Sequence, residues 1–268
     1  MSNNIKKQKT ILLCITLLCV VVMVFAVVMI AKEVSDRQKE IDDFNSLSNL
    51  ITQETTTEEP EETTEPKTND AEPEATEPPI VSTRNLTPLF EKNADCIGWV
   101  YIKDTAVDYP VMHTPTEPQR YLRKNFDKEY SSAGVPFLKG VCTLDCDNLV
   151  IYGHNMKNGT MFSDVTQYRN KEYCTEHPVI EFETEQGLKC YTVFAVVYVK
   201  NTDGWYDFHT AADEAEYNDK IEEIKRRALY DTGITPEYGQ QLLTLSTCYG
   251  ATKLDRIIVI GVETIPYN

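Results

Sequence analysis

A long uncharged stretch opens the pattern of apolar and polar positions: residues 11–31 read ILLCITLLCVVVMVFAVVMIA. A helix of that length can cross a hydrocarbon core of about 30 Å. The apolar region of a cleaved signal peptide is shorter, about 7–15 residues, and a small-x-small cleavage site follows it. Neither feature is present here. We therefore expect an uncleaved transmembrane anchor at 11–31, after a tail at 1–10.

Two polar segments follow the anchor. Residues 32–51 mix charges with scattered apolar positions, so the helix could continue through them as a juxtamembrane segment. The stretch beyond is built almost wholly of Thr, Glu and Pro, and it has too few apolar residues to offset the conformational entropy lost on folding. We expect a disordered tether at 52–84 and a folded domain at 85–268.

Short apolar runs separated by turn signals fill the folded domain. A short helix leading into a strand is predicted at TPLFEKNADCIGWVYI, and further strands are predicted at VDYPVM, VPFL, NLVIYGH, PVIEFET, KCYTVFAVVYV, QQLLTLSTC and RIIVIGVE. The stretch from about 210 to 232 differs, since Ile221, Ile224 and Leu229 lie near helical spacing and Gly233 suits a C-terminal cap. Many strands with one late helix predict a mainly β fold, a barrel or curled sheet.

The formal net charge is −16, and ten acidic residues against one lysine lie in 52–79. Phosphate binding requires clustered Lys and Arg, so nucleic acid is not an expected partner. The tail before the anchor carries three lysines and no acidic residue, which favours a cytoplasmic N-terminus. Three basic residues also follow the anchor and equal that count. We expect everything after the anchor to lie outside the cytoplasm.

Eight cysteines occur, two of them in the anchor. Cys142 and Cys146 are close enough in sequence to pair across a turn, and the sequence leaves that disulfide open. Together with His154 they also suggest a zinc site. No second pair of ligands at a familiar spacing completes such a site, and we expect no metal.

The strand LLTLSTC ends on Cys248, and the next strand begins eight residues later at Arg256. Side chains alternate along a strand, so Cys248 shares a face with Thr244 and Ser246. Turn residues follow it directly, which predicts a thiol near solvent. A nucleophilic cysteine also needs a proton-transfer partner and a group that stabilises charge on the attacked carbonyl.

Four histidines are available as that partner, and His154 has the most constrained position. It follows the apolar strand NLVIYG and enters the turn NMKNGT, whereas His113, His177 and His209 lie in Pro-flanked or polar loops. A histidine at a strand end is fixed at the rim of the sheet. A lone histidine is more often structural than an acid or base, so the spacing makes a Cys–His–Arg site a hypothesis only.

These residues resemble a known family. The segments NLVIYGHNMKNGTMF, TLSTC and RIIVIGVE are similar to those of the sortases, the cysteine transpeptidases of Gram-positive bacteria, and most closely to class B. The resemblance runs over about residues 85–265. It implies a sortase catalytic domain at 85–268, a closed β-barrel of about eight strands with an N-terminal helix and a helix before the last two strands.

The resemblance also implies roles for single residues. Cys248 attacks the carbonyl of a threonine in a C-terminal sorting motif and forms a thioacyl-enzyme. His154 protonates the leaving amine and then deprotonates the incoming one, and Arg256 orients the substrate and stabilises the oxyanion. Some class B members have an acidic residue soon after the cysteine; here only Asp255 is near, and we expect it merely to flank Arg256. Positions that line the substrate groove in relatives, or that simply pack at the strand ends, are Tyr152, Ser246 and Thr247.

The implied partners are surface proteins that bear a sorting motif, a peptidoglycan precursor or cross-bridge amine, and the membrane. No cofactor is implied, and the motif and the acceptor amine stay open. Two other enzymes fit the same residues, a pilin-polymerising sortase and a cysteine endopeptidase that acts only as a hydrolase. A non-catalytic surface protein is a further alternative, but the last residues, VETIPYN, carry no sorting motif, apolar stretch or basic tail of their own. We therefore expect an anchored enzyme.

Overall fold

The computed structural model describes residues 2–51 and 84–264. The predicted tether, apart from Arg84, and the last four residues lie outside that part of the chain. The chain divides into two units, one ending at Ser46 and one beginning at Leu47.

Helix α1 covers Ser2–Ile51 without a break, so the segment after the predicted anchor does continue the helix. Apolar side chains of the predicted anchor, among them Leu12, Phe25 and Ile30, are exposed. By length and composition this helix could cross a membrane. The prediction of an apolar N-terminal helix is thus confirmed.

The second unit is a closed barrel of eight strands, as predicted. Neighbouring strands follow the order β1-β2-β3-β4-β7-β8-β6-β5 around it. The strands are β1 Cys96–Tyr101, β2 Asp108–Met112, β3 Phe137–Leu138, β4 Asn148–Tyr152, β5 Val179–Thr184, β6 Gly187–Lys200, β7 Leu242–Cys248 and β8 Asp255–Thr264. Short helix α2, Thr87–Lys92, precedes β1, as the sequence predicts.

Strand β8 explains why its sequence is apolar at almost every position. It pairs with β6 on one side and β7 on the other, and both of its faces are covered. Ile258 and Ile260 belong to an outer core with Trp205, Tyr217 and Ile221, whereas the alternate residues of the strand face the other way and are also buried. A strand buried on both faces reads as a continuous apolar run.

The described residues also form helices α3, Lys171–Glu176, and α4, Glu214–Arg227, and 3-10 helices at Arg120–Arg123, Asp164–Arg169 and Gly204–Asp207. The Asp213 side chain caps α4 by accepting a hydrogen bond from the Glu216 backbone at 2.9 Å. Ile221 and Ile224 are buried against the outer core, which fits their helical spacing.

The end of α4 differs from the prediction. The helix stops at Arg227 because Ala228 adopts an extended conformation, so Gly233 is not its cap. The next residue, Leu229, leaves the helix, donates its backbone N–H to Val196 of β6 at 2.9 Å and is 37% exposed. Gly233 has a φ of +79° in the following loop.

Cys142 and Cys146 are buried free thiols, so no disulfide joins them in this structure. Burial, together with the neighbouring Cys146, raises the pKa of the Cys142 thiol to about 11.

Candidate active site

Three strand ends bring the predicted residues to one rim of the barrel. Strand β4 runs parallel to β7, with Tyr152 paired to Ser246, so His154 and Cys248 leave the sheet at the same edge. Strand β8 runs antiparallel to β7, with Cys248 paired to Arg256. The beginning of β8 therefore lies where β4 and β7 end.

A cavity of about 360 Å³ opens at this rim. All six residues singled out from the sequence line it, namely Tyr152, His154, Ser246, Thr247, Cys248 and Arg256. The structure thus places them together, while the chemical role of each stays a prediction.

Cys248 is exposed at the end of an otherwise buried strand, as the turn after it predicts. Its backbone carbonyl accepts a hydrogen bond of 3.0 Å from the Asn155 side-chain amide. The thiol position is thereby tied to the segment that carries His154.

Two further hydrogen bonds fasten that segment to β7. The Gly153 N–H donates to the Ser246 carbonyl at 3.1 Å, and the Thr247 hydroxyl donates to the Gly153 carbonyl at 2.8 Å. A side chain at position 153 has no room, because an added Cβ would lie 2.5 Å from the Phe162 ring. Glycine thus lets β4 turn beneath Phe162 and fixes the backbone from which His154 projects.

The His154 ring is half-buried, and its Nε2 lies 2.9 Å from the Leu122 carbonyl. A carbonyl can only accept, so in the neutral ring Nε2 carries the proton and Nδ1 carries the lone pair. Burial lowers the pKa of His154 from 6.5, and the positive charges of Arg123 and Arg256 lower it further, against the opposing effect of the Leu122 hydrogen bond. The ring is therefore suited to accept a proton at neutral pH.

The Arg256 Nη1 donates to the carbonyls of Lys253 and Asp255, both at 2.8 Å. These bonds leave the guanidinium at the cavity wall. The Asp255 carboxylate instead pairs with Lys200 and accepts from the Thr252 N–H at 2.7 Å. Those partners lower the pKa of Asp255 to about 2. Asp255 thus organises the turn before β8, in keeping with the expectation that it flanks Arg256.

The other histidines lie outside the cavity lining. His113 approaches the Gly140 carbonyl, His177 the Lys103 carbonyl and His209 the Asp207 carbonyl. Within the described residues, no group of three or more His, Cys, Asp or Glu side chains is placed to hold a metal ion.

Comparison with known proteins decides the family. A family model described as Sortase domain matches residues 100–264. The chain belongs to the sortase family.

Its relatives are class B enzymes by name. The sortase B of Listeria monocytogenes is 34% identical over 167 residues, which cover 61% of this chain and 66% of that protein, just under two thirds. The sortase B of Staphylococcus aureus is 27% identical over 188 residues, covering 66% of this chain and 75% of that one. A solved S. aureus sortase B–substrate complex is 25% identical with a TM-score of 0.62, covering 66% of this chain and 83% of that one. The resemblance to class B is thus confirmed.

Some residues at the candidate site were not predicted from the sequence. Tyr206, from a 3-10 helix at Gly204–Asp207, shares a hydrogen bond of 2.8 Å with the Ser246 hydroxyl and lies 5.8 Å from the Tyr152 ring. Burial raises the pKa of Tyr206 to about 12, so it stays a neutral phenol. The aromatic stretch GWYDF was the one signal for it. Leu122 contacts His154 through its backbone carbonyl, and Asn155 contacts the Cys248 carbonyl through its side-chain amide. The sequence gives no signal for either contact.

Proposed function

We propose that this protein is a membrane-anchored class B cysteine transpeptidase. It cleaves a C-terminal sorting motif after Thr and transfers the surface protein to a cell-wall amine of a Gram-positive bacterium. The observation that carries the proposal is the meeting of Cys248, His154 and Arg256 at one cavity of a sortase barrel.

In the first half-reaction the Cys248 sulfur attacks the threonine carbonyl carbon. A C–S bond forms, the C–N bond breaks, and the thiol proton passes through His154 to the leaving amine. Arg256 keeps its charge at any physiological pH and stabilises the oxyanion. Tyr152, with the buried hydroxyls on β7, lines the groove that receives the donor peptide. The solved S. aureus relative was captured with a substrate, which supports a peptide in this groove.

The apolar helix supports a membrane-anchored location for the enzyme. Residues 11–31 span the cell membrane once, the tail at 1–10 is cytoplasmic, and the catalytic domain at 85–268 faces the wall. The acidic stretch 52–84 serves as the tether that spaces the domain from the bilayer.

The experiment is product analysis of the full chain in detergent with peptides that contain varied five-residue motifs, with and without triglycine. We expect cleavage after Thr and, with triglycine, a new amide at that Thr. His154→Gln lowers the cleavage rate by about 10²–10⁴-fold, and Arg256→Gln lowers it by about 10²–10³-fold. The matched controls His209→Gln and Arg226→Gln, outside the cavity, retain the wild-type rate. No cleavage of any peptide contradicts the proposal.

The same products separate the two enzymatic alternatives. A free acid in place of the amide, at every triglycine concentration, identifies an endopeptidase that acts only as a hydrolase. Joining of the peptide to a lysine side chain of another protein, in preference to triglycine, identifies a pilin polymerase.

A further inference from the structure

Lys139 directly follows strand β3 and lines the catalytic cavity. Its backbone N–H donates to the Val150 carbonyl of β4 at 2.8 Å, so the barrel fixes the point from which the side chain starts. The side chain is only 21% exposed. Lysine is seldom enclosed in a protein unless its ammonium group is paired. The partners of this ammonium group therefore indicate what Lys139 does.

The Lys139 ammonium group reaches the 3-10 helix Gly204–Asp207 and donates to the Tyr206 carbonyl. The last carbonyls of a helix have no donor within the helix, and a lysine side chain is a favourable substitute. The Asp207 carboxylate lies 3.9 Å from the same ammonium group but is 90% exposed, and an exposed ion pair contributes little. The carbonyl contact is therefore the one that holds the end of this helix.

Tyr206 transmits this contact to the catalytic cavity, which it also lines. Its hydroxyl shares the hydrogen bond of 2.8 Å with Ser246. Its ring centroid lies 5.8 Å from that of Tyr152, and the Tyr152 ring lies 5.5 Å from Phe137. Phe137 and Lys139 are two residues apart in the chain. One short segment thus supports Tyr206 in two ways, through packed rings and through an ammonium group.

The same segment contacts a second part of the cavity wall. Gly140 follows Lys139, and an added Cβ there would lie 2.6 Å from the Pro118 side chain. Pro118 and Gly140 both line the cavity. This backbone contact does not involve the lysine side chain. Removing the ammonium group should therefore release the Tyr206 wall and leave the Pro118 wall in place.

We propose that Lys139 is a positioning residue for the donor peptide. By binding the Tyr206 carbonyl, it holds the Tyr206 ring and hydroxyl at the wall that receives the peptide. The inference rests on the proposed function, because it concerns how that peptide is bound. The ammonium group contacts Tyr206 and Asp207, not the proposed nucleophile or the proposed acid and base. Its loss therefore weakens donor binding and leaves the chemical step almost unchanged.

The test follows acyl-enzyme formation on the full chain in detergent, against the concentration of a sorting peptide that the wild type cleaves. Lys139→Met keeps a long side chain and removes the charge. We expect it to raise the half-saturating peptide concentration about tenfold, the scale of one lost hydrogen bond from a charged group. The limiting rate stays within about threefold, as for a loss of binding alone. Lys139→Arg keeps a cationic donor for the carbonyl and restores most of the wild-type affinity.

Two control variants and one double variant complete the test. Asp207→Asn removes the exposed partner of Lys139 and keeps the wild-type values. Lys189→Met removes another part-buried lysine, 35% exposed and outside the cavity lining, and also keeps them. In Tyr206→Phe, which lacks the hydroxyl, adding Lys139→Met raises the half-saturating concentration by a smaller factor than in the wild type, because both residues act on one wall.

Any of four results overturns the inference. The half-saturating concentration is unchanged in Lys139→Met, or the limiting rate falls as much as the affinity does. Lys139→Arg binds the peptide as poorly as Lys139→Met, or the effects of Lys139→Met and Tyr206→Phe multiply independently. Absence of any acyl-enzyme on the wild type instead overturns the proposed function, and the inference with it, so the two failures are distinct.

Discussion

His154 shows how much one ring depends on its surroundings. Within the described residues, a backbone carbonyl, that of Leu122, and not a carboxylate accepts from Nε2 and leaves Nδ1 as the basic atom. Its pKa lies below the ordinary 6.5. Between these two values the unfolded chain binds more protons, so His154 makes the folded state more stable as pH rises through that window and less stable as pH falls.

The nearby charge of Arg123 can be removed to test this account. Arg123→Gln is expected to raise the pKa of His154, because a positive neighbour that disfavours the imidazolium is lost. The readout is the His154 ring resonance in an NMR pH titration, assigned with His154→Gln. Arg226→Gln, an equal charge change on α4, leaves that pKa where it is. A His154 pKa that falls or stays constant in Arg123→Gln rejects the electrostatic assignment.

Asn155, next to His154 in the chain, ties that segment to β7 through its hydrogen bond to the Cys248 carbonyl. Asn155→Ala removes one hydrogen bond, which costs stability about 1 kcal/mol. The larger effect is on kcat, since a misplacement of about 1 Å can cost about 100-fold. We expect kcat to fall at least tenfold with little change in KM, while Lys157→Ala on the same turn has no such effect. Wild-type kcat in Asn155→Ala shows that the bond is not needed for alignment.

At the scale of elements, the sequence predicts the strands, but it does not predict every helix or where every helix ends. Apolar runs such as those of β7 and β8 are long and bounded by turns, so the sequence locates them. The end of α4 was not predicted correctly, because Leu229 continues the helical spacing in the sequence. In the structure its backbone N–H instead donates to the Val196 carbonyl. The 3-10 helix that carries Tyr206 has no periodicity to detect. Tertiary pairing decides such local choices.

The turn between β4 and His154 is where an element controls the site. Gly153→Ala forces a Cβ into the Phe162 ring, and overpacking of this kind costs about 1–3 kcal/mol. We expect a lower Tm and, because His154 is displaced, loss of most peptide cleavage. Gly204→Ala is the matched control, since a Cβ there meets nothing within 4 Å. Equal behaviour of the two variants contradicts this account of the turn.

At the scale of the whole molecule, the sequence separates an apolar helix, an acidic stretch and a barrel. The catalytic candidates could be predicted because each stands at a strand end. Their meeting could not, because the parallel pairing of β4 with β7 joins segments about 90 residues apart. Composition and spacing do not indicate that β4 pairs with β7. The expectation that these residues meet came from the resemblance to sortases.

The proposed anchor makes a prediction about the intact cell. Full-length protein should sediment with membranes, and protease added outside cells stripped of their wall should remove the barrel while sparing the tail at 1–10. The physical reason is the uncharged stretch 11–31, which is long enough to span the bilayer. A chain with three lysines introduced into that stretch serves as the control and should lose the membrane association. A barrel protected until the membrane is opened contradicts the orientation.

The central claim is that Cys248 carries the acyl group. The most direct measurement is the intact mass of the full chain after brief incubation with a cleaved sorting peptide, followed by peptide mapping of the adduct. The account predicts one thioacyl adduct, located on Cys248, lost on addition of triglycine, absent from Cys248→Ala and retained by Cys19→Ala, which removes another exposed thiol. An adduct on a different residue, or peptide cleavage that persists in Cys248→Ala, would contradict it.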